Sequence, residues 1–213
     1  MAETKIKVCG LTSPAEARFC AGLGVDFIGL NFSPQSPRCI NEDRAAEIIG
    51  DVRPDFSQTK FIGLFVDQPL DFVQETIDRL QLDGVQLHGN ETPDFVRKVR
   101  TPFRIKALRV GSNFRLTSSY DCEAILLDTW NSSQAGGTGA IFDWAVAVEM
   151  RPHFPRLILA GGLNAGNVGK AVRMVEPFAV DVCSGVEERP GHKSESKVRE
   201  FIDAVRVNEG RET

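Results

Sequence analysis

Short apolar, β-rich runs alternate with segments of helical periodicity along the whole chain. The predicted strands cover residues 5–9, 27–32, 60–66, 84–87, 104–110, 124–128, 156–160 and 178–183. Several are almost continuously apolar, as expected of parallel strands covered by helices. Between them, Ala15, Phe19 and Leu23 recur at i, i+4, i+8. Val73, Thr76, Ile77 and Leu80 follow i, i+3, i+4, i+7, as do Val168, Ala171, Val172 and Val175, and then Val198, Phe201, Ile202 and Val205; this is the stripe of a helix with one buried face. Ser13-Pro14-Ala15-Glu16 reads as a capping box with proline at the first helical position, and Thr92-Pro93 and Asn41-Glu42-Asp43 read as further helix starts. Residues 113–120 form the weakest predicted helix, short and rich in Ser and Thr.

Eight such alternations in 213 residues predict a single α/β domain, a closed (β/α)8 TIM barrel over residues 1–206, with 207–213 a polar C-terminal tail. The competing arrangement is an open doubly wound sheet. Against it, the first strand runs into Cys9-Gly-Leu-Thr12 and not into a GxGxxG turn. The glycine turns instead cluster late, at Gly136-Gly-Thr-Gly139, Ala160-Gly-Gly162 and Asp181-Val-Cys-Ser-Gly-Val-Glu187. A barrel builds its phosphate site there, on the C-terminal face, from the loops after strands 7 and 8 and a short extra helix. Glycine lets backbone amides approach a phosphate closely.

Hydrophobic residues make up 42% of the chain and charged residues 25%, enough for a substantial core. The net charge of −4 gives no basic field for nucleic acid or an acidic membrane, so an anionic ligand needs a local site. No apolar stretch approaches the roughly 18 residues of a membrane helix, and Met1-Ala-Glu-Thr-Lys5 shows no signal peptide. Five cysteines without CxxC spacing read as reduced thiols of a cytoplasmic protein. Three histidines without HxH or HExxH spacing give no catalytic metal, and no cofactor motif is present. The expected partner is a small phosphorylated molecule, and the assembly is a monomer or a homodimer.

Few polar residues stand at or just beyond strand ends, where a barrel carries its chemistry: Cys9, Asn31, Asp67, His88, Arg109, Asp128, Asp181 and Ser184. Cys9 is either a small buried apolar residue or, as a thiolate, a base or nucleophile. Asp128 closes the apolar run 124–128 and is either a turn-former or, shielded by Trp130, a general acid. Arg38 sits in a loop stiffened by Pro34 and Pro37, a surface arginine or a guanidinium ready to grip a carboxylate bidentately. His88 reads as a hydrogen-bonded structural residue. Asp181 orients a substrate hydroxyl or braces the turn at Ser184 and Gly185.

An ordered set of segments resembles the phosphoribosylanthranilate isomerase family. It runs through Lys7-Val-Cys-Gly-Leu-Thr12, Phe27-Ile-Gly-Leu-Asn-Phe32 with Ser36-Pro-Arg38, Ile62-Gly-Leu-Phe-Val66 and Val85-Gln-Leu-His-Gly-Asn-Glu91. It continues with Leu127-Asp-Thr129, Gly136-Gly-Thr-Gly139 with Phe142-Asp-Trp144, Leu159-Ala-Gly-Gly-Leu-Asn164, and Val180-Asp-Val-Cys-Ser-Gly-Val-Glu187 with Pro190-Gly191. The resemblance implies a barrel enzyme without cofactor or metal that performs an Amadori rearrangement of N-(5-phosphoribosyl)anthranilate. It implies Asp128 as the general acid at the furanose ring oxygen, Cys9 as the base at C2′, and Arg38 as the clamp for the anthranilate carboxylate. It places the phosphate against Gly137, Thr138, Gly139, Gly161, Gly162, Ser184 and Gly185, with Asp181 also in the substrate site. Leu11, Cys39 and the lysine-free loop 129–135 depart from the family pattern. A related histidine-pathway isomerase would carry a carboxylate where Cys9 stands, and a mere phosphate-binding barrel would need none of Cys9, Asp128 and Arg38.

Overall fold

The structure, a computed structural model, describes residues 3–111, 114, 119–129 and 144–209. The predicted turn at Gly137, Thr138 and Gly139, the shielding Trp130 and most of the weak helix at 113–120 lie outside these residues.

Eight parallel strands close into a barrel: β1 Lys5–Cys9, β2 Phe27–Asn31, β3 Lys60–Phe65, β4 Gly84–Leu87, β5 Arg104–Val110, β6 Ala124–Thr129, β7 Leu157–Leu159 and β8 Ala179–Val182. The pairing of β8 with β1, Lys7 opposite Asp181 and Val8 opposite Val182, seals the ring and excludes the open sheet. The described helices are α1 Pro14–Gly22, α2 Glu42–Val52, α3 Leu70–Leu80, α4 Pro93–Lys98, α5 Ala145–Met150, α6 Ala165–Val175 and α7 Glu195–Glu209. The expected starts carry their N-caps, but the expected capping box at Ser13–Glu16 is only half made, because Glu16 Oε1 accepts from Lys193 N (3.3 Å). Ser13 Oγ accepts from Glu16 N (3.4 Å), Asn41 Oδ1 from Arg44 N (2.9 Å) and Thr92 Oγ1 from Phe95 N (3.3 Å).

The last two strands are shorter than the apolar runs that announce them. Ala160 N still donates to Leu127 O, but Gly161 at φ +82° turns the chain away. Cys183 (φ −128°, ψ −85°) leaves β8 for a single 3-10 turn, Ser184–Val186. A small hairpin follows, β9 Glu187–Arg189 with β10 His192–Lys193, which the periodicity did not announce. The last helix continues to Glu209, so residue 206 falls inside it and not at its end.

Because strand side chains alternate between faces, each strand divides into two sets. Val8, Ile28, Leu30, Phe61, Phe65, Val85, Leu87, Ile125, Leu127, Val180 and Val182 pack in one buried cluster with the helices. Phe27, Ile62, Ile105, Ala107, Ala124, Leu126, Ile158, Ala160 and Ala179 form a second cluster inside the barrel. The same inward parity, carried toward the C-terminal ends, gives Cys9 after Lys7, His88 after Gln86, Asp128 after Leu126 and Asp181 after Ala179. The barrel interior is therefore apolar below and polar at its rim.

Candidate active site

Cys9 ends β1 and is 4% exposed. Its register partner on β2 is Gly29. A Cβ at Gly29 would stand 2.7 Å from Cys9 Sγ and 3.0 Å from Lys7 Nζ, so the missing side chain makes the room that both groups occupy. Lys7 is fully buried, donates to Asp181 Oδ1 at 3.0 Å and lies beside Cys9. A lysine inside a barrel is tolerated only when paired, and here one ammonium faces two acidic groups.

The charges follow from that count. The Cys183 thiol holds the Cys9 thiol well below its ordinary range against the penalty of burial, with Lys7 and Lys193 adding to the effect. Burial works against the Lys7 ammonium, but Asp181 and Cys9 outweigh it and raise its pKa. Burial pushes Asp181 up to about 7, because Lys7 offsets only part of the cost and Cys9 and Asp128 lie close by. Cys183 is displaced upward by its contact with Cys9 and by burial. Of the two sulfurs, Cys9 is the one whose ionised form the surroundings favour.

Asp128 projects from the end of β6. Its Oδ1 accepts from the Thr129 amide (2.8 Å), and its Oδ2 lies 3.1 Å from His88 Nε2. His88 Nδ1 is in turn 2.8 Å from Gln86 Nε2. With that amide donating to Nδ1, the imidazole carries its proton on Nε2 and directs it at Asp128. Gly161 completes the seat. A Cβ there would overlap Thr129 and come within 3.0 Å of Asp128 Oδ1.

Arg38 crosses the turn after Cys9, its Cδ 2.6 Å from where a Cβ of Gly10 would be. The loop that carries it is braced by more than its prolines. Asn31 Oδ1 accepts from Ser33 N at 2.8 Å, and Ser36 Oγ from Asn31 Nδ2 and Arg38 N. Glu187 receives Arg38 bidentately, Oε1 from Nε at 2.8 Å and Oε2 from Nη2 at 2.7 Å, and takes Lys193 Nζ at 2.8 Å as well. The edge of Arg38 defined by Nε and Nη2 is thereby occupied within the protein.

Two late glycine turns meet. Gly161 and Gly162 hold φ of +82° and +69°, a region open to glycine at little cost. A Cβ on Gly185 would overlap the carbonyl oxygen of Leu163, so the turn after β7 rests on the turn after β8. Asn167 Nδ2 ties the first turn to α6 through Gly162 O (2.9 Å).

The barrel thus gathers Cys9, Asp128, Asp181, Arg38, Gly161, Gly162, Ser184 and Gly185 at one end; Gly137, Thr138 and Gly139 are outside the described residues. Sequence reasoning passed over four partners. Lys7 and Gln86 could have been found from inward parity, being polar residues in otherwise apolar strands. Glu187 and Lys193 pair through a hairpin that no periodicity revealed. Asp67 accepts from Asn90, and Arg109 Nη2 donates to His88 O. Among the described residues, no group of three or more His, Cys, Asp or Glu side chains could hold a metal ion.

A family model described as N-(5'phosphoribosyl)anthranilate (PRA) isomerase matches residues 6–204. The N-(5'-phosphoribosyl)anthranilate isomerase of Pelobacter propionicus is 45% identical over 200 residues, 93% of each chain. The solved phosphoribosyl anthranilate isomerase from Thermus thermophilus gives a TM-score of 0.86 at 31% identity, covering 96% of this chain and 99% of that one. A second solved isomerase, in complex with reduced 1-(o-carboxyphenylamino)-1-deoxyribulose 5-phosphate, gives 0.81 at 34% identity with the same coverage.

Proposed function

Because the chain belongs to the N-(5'-phosphoribosyl)anthranilate isomerase family, we propose that it works by acid–base catalysis with Cys9 as base and Asp128 as acid. The enzyme is an isomerase of tryptophan biosynthesis that converts N-(5-phosphoribosyl)anthranilate to 1-(2-carboxyphenylamino)-1-deoxyribulose 5-phosphate. The observation that carries the mechanistic reading is the placement of Cys9 on the same inward rim as Asp128, with Cys183 and Lys7 beside it to favour its thiolate.

Asp128 gives a proton to the furanose ring oxygen, and the ring opens to a Schiff base. The iminium then acidifies the C2′ proton enough for the Cys9 thiolate to remove it, and the enolamine tautomerises to the ketone. A positioned acid or base contributes about 10²- to 10⁴-fold each. His88 fixes the Asp128 carboxyl, and Gln86 fixes His88. Arg38, anchored by Glu187, turns its remaining guanidinium surface toward the anthranilate carboxylate. Gly161, Gly162, Ser184 and Gly185, together with Gly137, Thr138 and Gly139, receive the phosphate, and Asp181 sits under the sugar. Five cysteines without CxxC spacing support a cytoplasmic enzyme in this reading. No described helix is long and apolar enough to cross a membrane.

The test follows the loss of anthranilate fluorescence, with substrate generated in situ, for the wild-type protein and Cys9→Ala. Rapid turnover that collapses in the variant supports both reaction and base. Near-wild-type turnover in Cys9→Ala removes Cys9 from the mechanism.

A further inference from the structure

We propose that Cys9 and Cys183 form a dithiol that hydroperoxides oxidise to an intramolecular disulfide, a modification site built across the seam of the barrel. The isomerisation needs only one of these sulfurs. The second stands near it because β1 and β8 pair in parallel through Lys7 with Asp181 and Val8 with Val182, and Cys9 and Cys183 are the residues that directly follow that last pair, on the inward parity of Lys7 and Asp181. Neighbouring strands lie about 4.7–4.9 Å apart, inside the Cα separation of roughly 4.4–6.8 Å that a disulfide requires. Each thiol is the largest influence on the other's proton affinity, Cys9 pulled down and Cys183 pushed up. Cys20, Cys39 and Cys122 are free and belong to other segments.

The two sulfurs are also unequal. Cys9 has Lys7 beside it, while Lys193 Nζ is 3.8 Å from Cys183 Sγ and is shared with Glu187. A thiolate is the group that a peroxide oxidises first, and an adjacent thiol then resolves the product. The Cys9 thiolate attacks one peroxide oxygen, the O–O bond breaks, and hydroxide or alkoxide departs and takes a proton from solvent. Cys9 is now a sulfenic acid. The Cys183 sulfur attacks the Cys9 sulfur, the S–S bond forms, and the thiol proton leaves with the sulfenic hydroxyl as water. The two thiols lose two electrons and the hydroperoxide gains them. The bond uses up the base assigned above, so the covalent step is read on the protein itself and turnover is read separately.

Reduced enzyme is treated with hydrogen peroxide at low molar excess, alkylated, and mapped by mass spectrometry without reductant. The expected result is loss of two hydrogens, a linked pair of peptides carrying Cys9 and Cys183, and recovery of both free thiols with dithiothreitol. In Cys183→Ser the linked pair disappears and Cys9 instead takes up one and then two oxygens, and dithiothreitol no longer restores it once the second is added. Oxygen uptake at Cys9 without linkage in the wild-type protein overturns the proposal, as does reversible loss of the Cys9 thiol in Cys183→Ser without oxygen uptake. Full turnover in a completely linked sample supports the disulfide and removes Cys9 as the base.

Discussion

The imidazole of His88 reaches from the end of β4 across β5 to the carboxylate of Asp128 on β6, with Nε2 3.1 Å from Oδ2. A short side chain at a strand end has several rotamers open to it, and this contact, with the Thr129 amide on the other oxygen, selects one. His88→Ala is expected to lower kcat by about ten- to hundredfold with KM nearly unchanged, and Gln86→Leu to produce a smaller loss in the same direction. Asp128→Asn is expected to lose about 10²- to 10⁴-fold. Steady-state kinetics separate the cases, and a KM effect without a kcat effect in His88→Ala would show that His88 serves binding instead.

Lys7 and Cys9 are coupled through charge. Removal of the ammonium disfavours the Cys9 thiolate, so in Lys7→Met the acid limb of the kcat/KM profile is expected to move to higher pH. The direction is fixed by the sign of the lost charge. Asp181 keeps its buried position without its partner, so the variant is also expected to be less stable by about 3–5 kcal/mol. The pairing Lys7→Met with Asp181→Leu recovers part of that stability and part of the pH shift, because it also takes a negative charge away from Cys9. A wild-type acid limb in Lys7→Met would sink the assignment.

Glu187 carries Arg38 and Lys193 together, and its side chain is 4% exposed. Burial raises the Glu187 carboxyl, but Arg38 and Lys193 outweigh it and hold it below its ordinary range. The folded protein therefore binds fewer protons than the unfolded chain near pH 4, so this contribution is complete above the unfolded value of about 4.3 and fades as pH falls. Glu187→Gln is expected to lower Tm at pH 7 and to flatten the loss of stability on acidification. It is also expected to raise KM, because Arg38 loses its anchor. Arg38→Ala raises KM further, by a factor equivalent to roughly 2–4 kcal/mol.

The barrel was legible because its signals are local. Near-continuous apolar strands, capped helices and late glycine turns each depend on a few neighbouring residues, and Cys9, Asp128 and Asp181 were marked by standing at strand ends. Partnership was not legible. Nothing local says that Asp128 takes His88, that Arg38 takes Glu187 at a separation of 149 residues, or that Cys9 meets Cys183. Those contacts follow from closing the ring, which sets β1 against β8 and folds the hairpin β9–β10 under the Arg38 loop. Lys7 shows the same limit, since a lysine two residues before a strand end becomes an interior charge only once the inward parity is known.

Gly161 and Gly24 permit a controlled test of the Asp128 seat. Both hold positive φ, +82° and +79°, so alanine meets a similar backbone penalty at either position, about 1–2 kcal/mol. They differ in surroundings. A Cβ at Gly24 meets nothing within 4 Å, whereas at Gly161 it overlaps Thr129 Oγ1 and stands 3.0 Å from Asp128 Oδ1. Gly24→Ala is expected to lower Tm with unchanged kcat. Gly161→Ala is expected to cost a further 1–3 kcal/mol, roughly the penalty of overpacking, and to reduce kcat about tenfold or more by displacing the Asp128 carboxyl. Urea unfolding and kinetics on both variants separate backbone strain from collision. If Gly161→Ala loses stability alone, with kcat intact, then the carboxyl position tolerates movement and the general-acid geometry is set elsewhere in the rim.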